Sequence, residues 1–237
     1  MTIVPTLVGM LMSSPMLIHA WLLAAWLSAF HIFHVAILWI KARRKERYEA
    51  ALRFWLLATF VLGMPLLTYR PTLLWWIPVF LPLVVASLYE TWHGRERSML
   101  ARLSAVIAAS LMTPVSYSVA KGLHIPLNVW VVTALLGAYF IGTVPYVRSL
   151  IRGRNDGRWV VASVSWHILG GVGAVWAAWS GYVSWLVVAL WVLLTLRTVA
   201  IPARQKQRDH LLRPAIIGIS EIVLTLLLTA FLLLGNV

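Results

Sequence analysis

The chain has no cysteine. That excludes disulfides, thiolate catalysis and every zinc or iron–sulfur centre held by cysteine sulfur. Charge is scarce too: 11% of the 237 residues are Asp, Glu, Lys or Arg, and only seven are acidic, where a soluble domain carries about 25% charged residues. Asp156 and Asp209 stand alone, and no Asp-x-x-x-Asp pair of the kind that holds magnesium occurs. Glu46 and Glu49 lie among six basic residues, which neutralise them locally. No metal and no other cofactor is called for. Residues 1–12 carry no basic side chain, so no cleavable signal peptide is expected.

What the chain has instead is apolar length. Hydrophobic residues make up 61% of it and the mean hydropathy is +0.86, above the roughly 45–50% apolar content of soluble domains. A helix crosses a bilayer core with about 20 apolar residues. On that measure spans are expected at 17–40, 52–68, 72–91, 103–120, 127–147, 159–179, 182–199 and 215–234. Residues 2–12 make a half-length stretch closed by Ser13, Ser14 and Pro15. The fold expected is all-α: a polytopic transmembrane helical bundle of eight full spans plus an N-terminal half-span, forming one domain over 1–237. Pro78 and Pro82, one turn apart, mark the span at 72–91 as the one most prone to break.

The formal net charge is +13, but the cations sit between apolar runs rather than on one soluble face, which speaks against nucleic acid. Of the 20 Lys and Arg residues, 18 fall in four connections, 41–53, 93–102, 148–158 and 197–213. The alternate connections hold Arg70 and Lys121 alone. Positive loops stay in the cytoplasm, so the basic loops are expected inside the bacterial inner membrane and the C-terminus outside. Membrane lipids are the expected partners, and oligomeric state is left open.

Ionisable side chains within spans are expensive, and each becomes a site candidate. His31, His34, His167, Glu221 and Arg197 form the candidate pocket. Counted at 1.5 Å per residue from the nearest basic loop, His34, His167 and Glu221 fall at similar depths. Arg197 and His167 are the expected partners of Glu221. In the basic loops, Arg43, Arg44, Arg148, Arg152 and Arg208 are candidate phosphate ligands, because a guanidinium fork suits phosphate oxygens. Seven tryptophans near span ends (Trp39, Trp75, Trp76, Trp92, Trp159, Trp179 and Trp185) are expected to anchor at the headgroup level.

Five stretches, taken in order, resemble the YwiC-like family of bacterial membrane proteins. They are VPTLVGM near the start, KARRKERY after the span at 17–40, HGRERSMLARLSAV, VPYVRSLIRGR and RPAIIGISEI. The resemblance implies a multi-pass membrane protein and brings no catalytic residue with it. Members of that family usually open with a Glu-His-Gly-Ala-Trp-type signature just before the segment matching residues 2–12. Its absence here leads one to expect a shortened start. A more distant likeness is architectural: nine helices with key loops after the second and sixth is also the layout of UbiA-type prenyltransferases. Those enzymes hold magnesium diphosphate on Asp-rich motifs in the two loops, where this chain has KARRKERYEA and RGRNDGR. Three functions remain open from the sequence: binding of an anionic lipid or isoprenoid phosphate in a cytoplasm-facing cavity, with or without group transfer; a small proton-coupled permease; and a non-catalytic assembly subunit.

Overall fold

The protein is described here by a computed structural model. It covers every residue except 44, 96–97, 152, 154–155, 209–212 and 236–237, and the side chains of 207 and 208. Among the described residues there are nine α-helices and no strand. Eight segments are long and apolar enough to cross a membrane, and the chain is a multi-pass membrane protein. It divides into two compact units, Met1–Val129 and Trp130–Val237.

The first unit holds α1 (Val4–Met12), α2 (Leu17–Lys41), α3 (Glu49–Tyr69), α4 (Ile77–Trp92) and α5 (Met99–Lys121). α2 packs with α3, α4 with α5, and the short α1 lies on α5. A single glycine sets that last approach. A Cβ on Gly9 would fall 2.0 Å from the Thr113 carbonyl oxygen and 2.8 Å from Ser116 Cβ, so only a bare Cα lets the two backbones meet. Ser116 Oγ adds a hydrogen bond to the Thr6 carbonyl at 2.8 Å. Small residues at a helix contact are how membrane helices approach closely, since lipid supplies no hydrophobic drive between them.

The turn out of α1 is held by a buried histidine. His19 Nδ1 accepts from the Met16 amide at 3.1 Å, which leaves Nε2 protonated to donate to the Ser116 carbonyl at 3.2 Å. The ring thus satisfies an otherwise orphaned N-terminal amide of α2 and ties that turn to α5. Its place inside a span reflects structure, not a site.

The span expected to break does so. Residues Pro71–Trp76 form a 3₁₀ helix, and the α-helix begins at Ile77 with Pro78 in its first turn, where a missing N–H costs nothing. Pro82 stays inside the helix. The 3₁₀ turn carries one correction. Trp75 is 70% exposed, as an interfacial anchor should be, but Trp76 is only 9% exposed. It packs with Leu22, Leu66, Leu73 and Met112 and donates to Ser118 Oγ at 3.2 Å. Helical geometry alone sends adjacent tryptophans in different directions, one to lipid and one to the core.

The second unit holds most of α6 (Leu127–Leu150), together with α7 (Gly157–Trp179), α8 (Trp185–Arg208) and α9 (Pro214–Leu234). α8 starts three residues later than expected and runs on through the basic segment to Arg208. Trp191 of α8 is the largest fully buried side chain. It lies over Gly170, where a Cβ would come within 2.5 Å of the indole, and it donates to the His167 carbonyl at 2.8 Å. Trp166 donates likewise to Ala138 of α6 at 2.7 Å.

Gly9→Val should therefore lift α1 from α5. The expected loss is about 1–3 kcal/mol, the usual cost of overpacking, read as a lower melting temperature of the detergent-solubilised chain. Gly63→Ala, where nothing lies within 4 Å of the added methyl, should melt like the wild type.

Candidate functional site

Three helices of the second unit, α6, α8 and α9, meet at one carboxylate. Glu221 of α9 receives the Arg197 guanidinium of α8 in a two-point contact, Nη1 to Oε1 at 2.5 Å and Nη2 to Oε2 at 3.3 Å. Tyr139 of α6 donates its hydroxyl to Oε2 at 2.9 Å. The Arg197 guanidinium also lies over the Tyr146 ring, 4.3 Å from its centroid. The side chains of Arg197 and Glu221 are 9% and 16% exposed. A lone charge at such a site would be prohibitive. The pair is tolerable because fork geometry, a phenol and an aromatic face share the compensation.

His167 of α7 lies within Coulombic range of both members but hydrogen-bonds to neither. Its Nδ1 faces the Ser163 carbonyl at 2.7 Å. A carbonyl only accepts, so Nδ1 carries the proton and Nε2 is left as an acceptor. Nε2 is buried and has no partner among the described residues, as are Ser163 Oγ and Arg197 Nε. The ring is pressed against α6: a Cβ on Gly142 would sit 2.9 Å from Cε1 and 3.1 Å from Nε2.

The structure thus brings three of the five expected pocket residues together: Arg197 and Glu221 in direct contact, His167 beside them. His31 and His34 belong to the first unit and are exposed. His31 turns Nδ1 back to the Leu27 carbonyl at 2.6 Å and stacks on Trp55 at 4.4 Å between centroids. Tyr139, Tyr146 and Thr225, which donates to the Glu221 carbonyl at 2.6 Å, were not anticipated. The signal available was a pair of tyrosines, 139 and 146, two turns apart in a span with no charged side chain between 127 and 147. Ranking residues by charge passes over a phenol.

Of the expected phosphate ligands, Arg44 and Arg152 lie outside the described residues, as does the side chain of Arg208. Arg148 places its guanidinium 3.8 Å from the Trp159 ring centroid. Arg43 follows the end of α2 with a left-handed φ of 53°, a conformation usually reserved for glycine that costs other residues roughly 1–2 kcal/mol. Glu90, only 7% exposed, pairs with Arg95 at 3.0 Å.

The first unit contains a cavity of about 500 Å³ between α2, α4 and α5, within the usual range of ligand pockets. Its wall is almost wholly apolar and aromatic. It runs along α2 from Trp26 to Ala36, along α4 from Phe80 to Leu88 and along α5 from Ala109 back to Ser104. Ser87 and Ser104 are its polar lining side chains toward the end bearing Lys41, Arg43, Lys45, Arg47 and Arg95.

The YwiC-like protein family matches residues 1–117. An uncharacterized protein of Haemophilus influenzae is 28% identical over 169 residues, 71% of each chain. Uncharacterized protein YwiC of Bacillus subtilis is 25% identical over 169 residues, 71% of this chain and 70% of its own. No solved structure matches the chain. The YwiC-like segment lies inside the first unit, and every residue lining the cavity falls within it. Of the five family-like stretches, VPTLVGM supplies α1 with Gly9, KARRKERY the turn after α2, and HGRERSMLARLSAV the entry to α5. VPYVRSLIRGR and RPAIIGISEI, which opens α9 and carries Glu221, lie beyond the matched residues.

Glu221→Gln should destabilise the second unit by roughly 3–5 kcal/mol, since it leaves the Arg197 charge buried without a counter-ion. Tyr139→Phe should cost about 1 kcal/mol, one hydrogen bond. The charge-free double variant Arg197→Met, Glu221→Leu should recover most of the loss in a detergent melting experiment. A double variant as unstable as Glu221→Gln would show that the two groups do more than neutralise each other.

Proposed function

We propose that this membrane protein binds an amphiphile with one apolar chain and an anionic, phosphate-type head. The chain, acyl or isoprenoid, lies in the cavity of the YwiC-like unit, and the head lies among the cations that follow α2 and α4. The observation that carries this reading is the gradient along one cavity. Its inner part is lined by Trp26, Phe80 and aliphatic residues, and its lining stops five residues short of Lys41, ~8 Å of helix. Basic residues near a membrane surface attract anionic headgroups by about 1 kcal/mol each. Among the described residues there, the buried carboxylate is Glu90, which is already neutralised by Arg95 and does not oppose an anion. Arg43 and Arg44 are the expected phosphate ligands that belong to this unit.

The Arg197–Glu221 cluster contributes differently in this reading. Both carboxylate oxygens are occupied, so the cluster ties α6, α8 and α9 and leaves no free carboxylate to relay protons. The basic loops face the cytoplasm, where anionic lipid and soluble phosphates are both at hand.

Mass spectrometry of gently purified protein should find a phosphorylated amphiphile. Arg43→Gly should lower its occupancy about five-fold, one cation's share, without lowering the melting temperature, because glycine suits the left-handed backbone there. Inorganic phosphate alone should not displace the bound species. Recovery of the protein with uncharged lipid only, or at unchanged occupancy in Arg43→Gly, would overturn the proposal. The cytoplasmic placement has its own check. The native chain has no cysteine, so a membrane-impermeant thiol reagent applied from the periplasm should label Lys121→Cys and spare Lys45→Cys.

A further inference from the structure

The cavity of the YwiC-like unit is lined at the end farther from the basic loops by Trp26 and Phe80, beside Met1 and Thr2. Trp26 and Phe80 meet there edge to face, 6.0 Å between centroids and 66° between planes. Trp26 is fixed in that position, since its indole donates to the Thr2 carbonyl at 3.0 Å. Both rings line the cavity and both lie at the end of their helix's lining farthest from the basic loops. Ala36, Leu88 and Ser104 line the other end. From Trp26 to Ala36 is ten residues of α2, or ~15 Å, about half the ~30 Å hydrocarbon thickness of a bilayer. The cavity is therefore a slot about one leaflet deep, with the basic loops beyond one end and the two rings at the other.

We propose that the Trp26–Phe80 pair is a chain-length stop, making this a site for single-chain amphiphiles whose tails end at the middle of the bilayer. The inference rests on the lipid-binding reading above and adds the residues that set specificity. The head is fixed by the cations at the mouth, so the tail end must fall at a set depth. A shorter tail leaves apolar wall uncovered, at about four-fold in affinity per missing methylene. A longer one meets two rings that cannot both turn aside, because one is tied by its hydrogen bond and the other packs against it. Ala29 lines the slot less than one turn above Trp26 on α2, so a larger side chain there raises the floor.

The test offers the full-length protein an equimolar series of saturated n-alkyl phosphates, from octyl to octadecyl, and reads the bound lengths by native mass spectrometry. Wild type should select a narrow band of lengths. Phe80→Ala should shift the band to longer chains by about two to four methylenes, the space a phenyl ring gives up. Ala29→Phe should shift it to shorter chains. The two shifts are opposite, so a general loosening of the fold cannot produce both. Binding that persists with an unchanged band in both variants would overturn the length stop and leave the lipid-binding reading intact. A wild type that takes up no alkyl phosphate of any length would overturn both.

Discussion

Helices in an apolar medium gain nothing by hiding apolar surface from one another, and the whole structure follows from that constraint. What holds it together is close packing where side chains are small, and hydrogen bonds from polar groups with no better partner. Tryptophan does a large share of this pinning. Trp21 donates to the Leu62 carbonyl, Trp26 to Thr2, Trp76 to Ser118, Trp166 to Ala138 and Trp191 to His167. Each bond links two different elements. An indole N–H inside a bilayer has no water to turn to, so each finds a carbonyl or hydroxyl on a neighbour, and each then specifies a register that apolar contacts alone would leave loose.

The two units answer this constraint in different ways. In the first, Gly9 brings α1 against α5 and His19 fastens the turn, while α2, α4 and α5 diverge around a slot. In the second, Trp166 bonds to Ala138 and Trp191 to His167, and a separate group of contacts runs from Tyr139 through Glu221 to Arg197. A unit pinned at so many points has little freedom to rearrange. The division agrees with where the family match falls: the segment resembling YwiC contains the slot, and the pinned cluster lies outside it.

Much of this architecture was legible in the residues. Apolar length against the 1.5 Å rise gives the eight spans to within a few positions, except that α8 runs on past 199 to Arg208, and the half-length first stretch is α1. The partnership of Arg197 with Glu221 followed from matched depths, because a buried carboxylate has few cations to choose from. Other features were hidden for physical reasons. Trp75 and Trp76 look alike in sequence, yet a 3₁₀ turn sends them to opposite environments. His31 and His34 share a helix face, but that face looks outward, and nothing in one helix's pattern reveals which side its neighbours will cover. The cavity left no local trace at all. It is a space between three helices lined with residues that would serve equally well as packed core.

The pinned indoles have an optical consequence. A chromophore held rigidly in an asymmetric apolar surrounding gives a strong circular dichroism band in the near ultraviolet, whereas one tumbling at a lipid interface gives almost none. Trp76, Trp166 and Trp191 are of the first kind, and the exposed Trp75, Trp179 and Trp185 are of the second. The near-ultraviolet spectrum of this protein therefore reports on its interior, and its loss on heating would track the parting of helices without any introduced label.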